Sequence, residues 1–162
     1  MLPIIVFVVV ALLLFGGAFV SRRRFGLLGL ALTAGATLST IWNYEAGLVV
    51  SSLNIVPAGP LTQAVTQSAV VLLPAVVLLF HGQTYKTLVS RLVGAAFFTV
   101  LACAFLVEPI GYALPLSGQG AEIYGMLRAN RDLIVSIGVI LAVLDLFFTK
   151  PAHLMEKASR KH

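Results

Sequence analysis

Asp145 is the only acidic residue of the chain that stands clearly inside an apolar run, Leu141-Ala-Val-Leu-Asp-Leu-Phe-Phe. A carboxyl group in such surroundings is expensive, so it is a default candidate for handling a proton or cation, or for pairing with a cation on another helix. The competing reading is that it lies one turn from the end of its segment and reaches toward water or Lys150. A second constellation is Gln63, Gln67, Pro74 and His81, separated by four, seven and seven residues. On a helix these fall along one stripe, with Thr66 and Ser68 beside its outer end. Pro74 has no N–H and so frees a carbonyl. The stripe either lines a hydrated path between helices or serves as structural glue, each glutamine bonding a neighbouring helix for about 0.6 kcal/mol.

A third set, Glu108, Glu122, Arg128, Arg131 and Asp132, is the only other concentration of charge that could meet a polar headgroup. A solvated loop with local ion pairs explains it equally well. The sequence holds no H-E-x-x-H, G-x-S-x-G or G-x-x-x-x-G-K-[ST] pattern. His81, His153 and His162 are dispersed, and the single Cys103 allows no internal disulfide and no multi-cysteine metal site. The expectation is a protein with no catalytic residues, no metal and no cofactor, hence not an enzyme.

These residues must be positioned by apolar elements. Of the 162 residues, 59% are hydrophobic and 10% charged, with mean hydropathy +1.02; soluble domains carry about 25% charge. Too few polar side chains exist to cover a globule in water, which excludes a cytosolic enzyme, a secreted disulfide scaffold and a disordered tail. A spanning helix needs about 20 apolar residues. The chain divides into five such pieces, at about 2–20, 25–42, 61–80, 92–107 and 133–149, followed by a basic tail, 151–162. The predicted fold is all-α: one polytopic membrane helix bundle over 1–150.

Charge placement predicts the orientation. The first segment is uncharged and is followed by Arg22, Arg23 and Arg24, the reverse of a cleavable signal peptide. With the N-terminus outside, nine of the eleven basic residues fall on the cytoplasmic side, and only Arg128 and Arg131 fall outside. The C-terminus is then inside. The net charge of +5 records insertion rather than nucleic-acid binding, since no basic stripe with interleaved aromatics accompanies it. Trp42, Tyr44, Tyr112 and Tyr124 fall near or in the outer segments, as interfacial anchors do. Both outer segments are expected to contain interfacial or re-entrant helical pieces. The second carries Ile123, Tyr124 and Leu127 on one side.

Small residues recur at four-residue spacing as Ala31, Gly35 and Ser39, and again as Ala95, Thr99 and Cys103. Such rows let helix backbones approach closely, within one chain or between copies. Cys103 reads as a small buried packer.

Arg22-Arg23-Arg24-Phe25-Gly26, then Ala31-x-x-x-Gly35, then Arg91-Leu92-Val93-Gly94-Ala95-Ala96 together resemble the CvpA family, named for its link to colicin V production. The resemblance covers about 2–107; the fifth span and basic tail exceed the family's four-span core. It implies an inner-membrane protein of the bacterial envelope, an accessory or scaffold in secretion or envelope homeostasis, with no known catalytic residues. The alternatives are a small channel or transporter that gains its pore by oligomerising, a holin-like pore included, and more weakly a lipid-headgroup enzyme. The partners expected are the lipid bilayer and either further copies or another membrane protein.

Overall fold

The computed structural model describes residues 2–42, 52, 59–81, 84–113 and 119–148. Among them the chain forms six α-helices and no strand: α1 (Leu2–Ser21), α2 (Phe25–Ile41), α3 (Pro60–Phe80), α4 (Leu88–Ala113), α5 (Gln119–Ala129) and α6 (Arg131–Phe147). α1 stops at the arginine run, where Arg22 adopts a left-handed φ of 56°, the conformation that closes many helices. α3 opens on Pro60 at its first turn, where the missing N–H costs nothing and φ is already helical. α5 carries Glu122 in its first turn and Arg128 in its last, the order its dipole favours.

α4 is the hub. It packs against α1, α2, α3 and α6, and α5 folds over its far end. Its segment from Leu101 to Val107 is buried almost without exception. α2 lies between α3 and α6, and glycine makes both approaches possible. A Cβ on Gly35 would overlap the Val71 carbonyl of α3, and one on Gly26 would come within 2.5 Å of the Ala142 carbonyl of α6.

The core is wholly apolar, with no buried polar side chain among the described residues. The outward faces are apolar too: Leu12 and Leu13 on α1, Leu73 and Val77 on α3, Val93 and Val100 on α4, Ile140 and Phe147 on α6. Soluble monomers rarely expose contiguous apolar patches beyond a few hundred Å². Pro60–Phe80 and Leu88–Gly111 are long and apolar enough to cross a membrane, while Ile5–Ser21 and Phe25–Ile41 are apolar but shorter.

The expected spans at 2–20, 25–42 and 61–80 coincide with α1, α2 and α3 to within a residue at each end. The fourth differs. Expected at 92–107, it runs from Leu88 to Ala113 and is the longest helix. Glu108 and Pro109 read as a stop, yet Pro109 removes only the bond to the Phe105 carbonyl. The surrounding turn, Phe105 to Val107, is held by burial. α6 begins two residues before the expected 133 and takes Asp132 into its first turn. The helix expected in the second outer segment is present as α5, with Tyr124 and Leu127 half-buried and Ile123 56% exposed, so the inward face is rotated away from Ile123. Of the first outer segment, expected at 43–60, only residues 52, 59 and 60 are described, and the tail 151–162 lies outside the described residues.

Candidate functional site

Polar groups collect at the two ends of the bundle. At the first end, the arginine run leaves α1 and crosses the C-terminus of α3. Arg23 donates from Nε to the Leu79 carbonyl at 2.9 Å and from Nη2 to the Phe80 carbonyl at 2.6 Å. The last carbonyls of a helix lack N–H partners and carry its partial negative charge, so a guanidinium there satisfies both needs. Arg91, from the first turn of α4, does the same for α1. Its Nη2 donates to the Phe19 carbonyl at 2.9 Å, and its guanidinium lies 4.5 Å above the Phe19 ring.

Asp145 completes this end. Its Oδ2 accepts from the Gly26 N–H at 2.9 Å, and its Oδ1 accepts from the Tyr85 hydroxyl at 3.2 Å. The Tyr85 hydroxyl in turn accepts from the Phe25 N–H at 3.1 Å. The first two N–H groups of α2 are thus taken up by a carboxylate from α6 and a phenol from the connection between α3 and α4. They need this help because Arg24, at the N-cap position, makes no side-chain cap bond, and a negative group suits a helix N-terminus. Tyr85 is fixed from the other side: its N–H donates to the Arg22 carbonyl at 2.8 Å, and the Arg24 guanidinium lies 5.6 Å from its ring centroid. Burial pushes the Tyr85 phenol above the ordinary 10.0; the Phe25 N–H acts in the opposite direction, and Asp145 adds to the rise. A crevice of about 290 Å³ beside Tyr85 and Asp145 is otherwise lined mainly by apolar side chains such as Val93, Phe97 and Leu141.

The far end is built differently. A cavity of about 440 Å³ opens between α2, α3, α4 and α5 and the start of α6, floored by Val71, Phe105 and Pro109. Ser39 and Thr40 form one wall, Gln67 another, and Glu108, Tyr124, Arg128 and Arg131 the rest. Arg131 Nη1 donates to Glu108 Oε1 at 2.9 Å and so pins the start of α6 to α4. Tyr124 reaches the cavity because Gly111 leaves room: a Cβ at that position would overlap its phenolic oxygen. The side chains of Ser39, Tyr124 and Arg128 make no hydrogen bond or ion pair among the described residues, and the water-shielded Nε of Arg131 has no acceptor.

The residues singled out in the sequence divide between these places. Of the Gln63–His81 stripe only Gln67 lines the cavity. Gln63 is exposed, Pro74 is half-buried, and His81 is exposed beyond the other end of α3, roughly 20 Å from Gln67 at 1.5 Å per residue. The inward face of α3 is Ala64, Val71 and Ala75. Ala31 and Gly35 are buried, and Ser39 stands in the cavity wall. On α4, Ala95 and Cys103 are buried, and the half-buried Thr99 donates to the Ala95 carbonyl at 2.8 Å. Of the acidic and basic outer set, Glu108, Arg128 and Arg131 meet at the cavity, while Glu122 and Asp132 do not line it.

Sequence reasoning missed Tyr85 and Tyr124 as members of these sites, and missed Arg23 and Arg91 as helix caps. Each acts on a partner far along the chain, and no local pattern marks that. Comparison with family models, with curated proteins and with solved structures returned no match for this chain.

Proposed function

We propose that the chain is a multi-pass protein of the bacterial inner membrane with five spans, N-terminus outside and C-terminus in the cytoplasm. In this reading it is a non-enzymatic, CvpA-like accessory or scaffold in secretion or envelope homeostasis. The observation that carries the proposal is the state of Asp145. Proton and ion pathways use intramembrane carboxylates that face a hydrated route. Here both carboxylate oxygens are engaged in holding the start of α2, and no polar side chain is buried along the centre of the bundle among the described residues. A pore between copies would be lined by outward faces, and those of α3 and α4 carry Leu73, Val77, Val93 and Val100.

The test has two parts. Reconstituted in vesicles under a pH gradient, the protein is expected to leave proton and cation flux at the level of protein-free vesicles; flux that Asp145→Asn abolishes would overturn the reading. For orientation, a single cysteine is placed at Ser52 or Ser159 in a Cys103→Ala background. An impermeant thiol reagent on intact cells is expected to label the first and spare the second. The opposite pattern would invert the topology.

A further inference from the structure

We infer that the far-end cavity is a binding site for the phosphate group of a phosphate ester, with the esterified group seated over its apolar floor. The argument starts from hydrogen-bond supply. Polar groups withdrawn from bulk water are normally paired, yet the shielded Nε of Arg131 at the far end has no acceptor among the described residues, and neither has that of Arg91 at the arginine end. That Arg131 Nε shares one cavity with the half-buried Ser39 and Tyr124 and with the exposed Arg128, whose side chains have no partner among the described residues. All four are donors, and the main acceptor beside them, Glu108, is engaged by Arg131 at 2.9 Å. Arg131 also lies 4.0 Å from the exposed Asp132, which does not line the cavity, so among the lining residues Arg128 and Arg131 stand against Glu108 alone.

Donors arriving from α2, α5 and α6, together with an excess cation, suit an anion with several acceptor oxygens pointing in different directions. A tetrahedral phosphate offers that arrangement, and arginine pairs with it through charge-assisted bonds. The volume, about 440 Å³, falls within the range of small-molecule sites, about 300–1,000 Å³, and exceeds what a bare phosphate needs. The floor of Val71, Phe105 and Pro109 fits the less polar part of an ester. This chemistry is independent of the accessory role and of the orientation; only the source of the ligand, lipid headgroup or free phosphate, depends on the membrane reading.

Calorimetric titration of the full chain in a maltoside detergent tests it, with dihexanoyl phosphatidylglycerol, inorganic phosphate and uncharged dihexanoylglycerol as probes. Saturable binding of the phosphatidylglycerol is expected, weakened roughly tenfold or more by Arg128→Ala, as for loss of a hydrogen bond to a charged group. Tyr124→Phe keeps the ring against Gly111 and is expected to weaken binding less, by about threefold. Because Arg128 is exposed and unpartnered, its alanine variant is expected to unfold at the wild-type temperature. Displacement of the lipid by inorganic phosphate supports the site with free phosphate as a sufficient ligand; binding of the lipid without such displacement supports it with the ester as the ligand. Three results would overturn the inference: no binding of either phosphate probe, equal binding of dihexanoylglycerol, or binding unchanged in both variants. None of these bears on the flux and labelling tests above.

Discussion

The two ends of this bundle use similar side chains for opposite purposes. At the arginine end Arg23, Arg91, Asp145 and Tyr85 close the termini of α1, α2 and α3, each through at least one hydrogen bond to backbone. At the far end Ser39, Tyr124 and Arg128 face a cavity and bond to nothing described. The contrast teaches that a charge within an apolar helix bundle is not by itself a functional site. What separates the two cases is whether the helix termini nearby already need the charge. Three helices end or begin where the arginines lie, and each leaves orphan backbone groups that must be satisfied away from water.

The comparison can be broken most sharply by crowding each end in turn. Gly26→Val drives methyl groups into the Ala142 carbonyl and the Asp145 carboxylate, and is expected to cost about 3 kcal/mol, as overpacking of a tight contact does. At the far end, Gly125 of α5 has nothing within 4 Å of an added Cβ. There Gly125→Ala is expected to stabilise by up to about 1 kcal/mol through helix propensity alone. Unfolding in mixed micelles measures both; equal losses at the two positions would erase the distinction.

Asp145→Ala comes next. It leaves the Gly26 N–H without its acceptor and the Tyr85 hydroxyl without its own, for an expected loss of about 2 kcal/mol. Asp145→Asn keeps one acceptor oxygen and is expected to recover part of that loss.

Alkali sharpens the picture of Tyr85. Its phenol ionises at a higher pH in the folded protein than the ordinary 10.0, chiefly through burial. Its contribution is therefore whole below the ordinary value. Above that value the unfolded chain releases the proton first, and stability falls as pH climbs through the raised folded value. Unfolding midpoints followed from about pH 9 to pH 12 are expected to decline more steeply in wild type than in Tyr85→Phe. Parallel declines would mean that the phenol is not set apart by its surroundings. The smallest effect is expected at Arg22, whose φ of 56° suits glycine better than any branched residue. Arg22→Gly is expected to gain about 0.5 kcal/mol, the relief of left-handed strain less the entropy glycine adds to the unfolded chain.

Much of this architecture is legible in the sequence because apolar helices advertise themselves by uninterrupted apolarity. α1, α2 and α3 are bounded by an arginine run, by Trp42 and by Pro60, and their limits follow. α4 resisted, since Glu108 and Pro109 resemble a terminus and only the burial of Phe105 to Val107 shows that the helix continues. The sites were less legible. Asp145 stands out as a costly residue, but that its cost is met by Gly26 and Tyr85, more than a hundred and exactly sixty positions away respectively, is a property of the packed bundle. The stripe from Gln63 to His81 has correct helical periodicity, yet a helix face is not a site: α3 turns Val71 and Ala75 inward and brings only Gln67 to the cavity. Tyr124 is legible as an aromatic on one side of its helix, but its fit against Gly111 exists only once α5 folds onto α4.

The most direct test of the central contrast is thermal unfolding of wild type, Asp145→Ala and Arg128→Ala, each with and without saturating dihexanoyl phosphatidylglycerol. A ligand that binds only the folded state raises the unfolding temperature. The account predicts that Asp145→Ala starts lower than wild type but gains the same ligand-dependent rise. Arg128→Ala is predicted to start level with wild type and to gain little. A loss of intrinsic stability in Arg128→Ala with an undiminished ligand response, or a ligand response lost in Asp145→Ala instead, would contradict it.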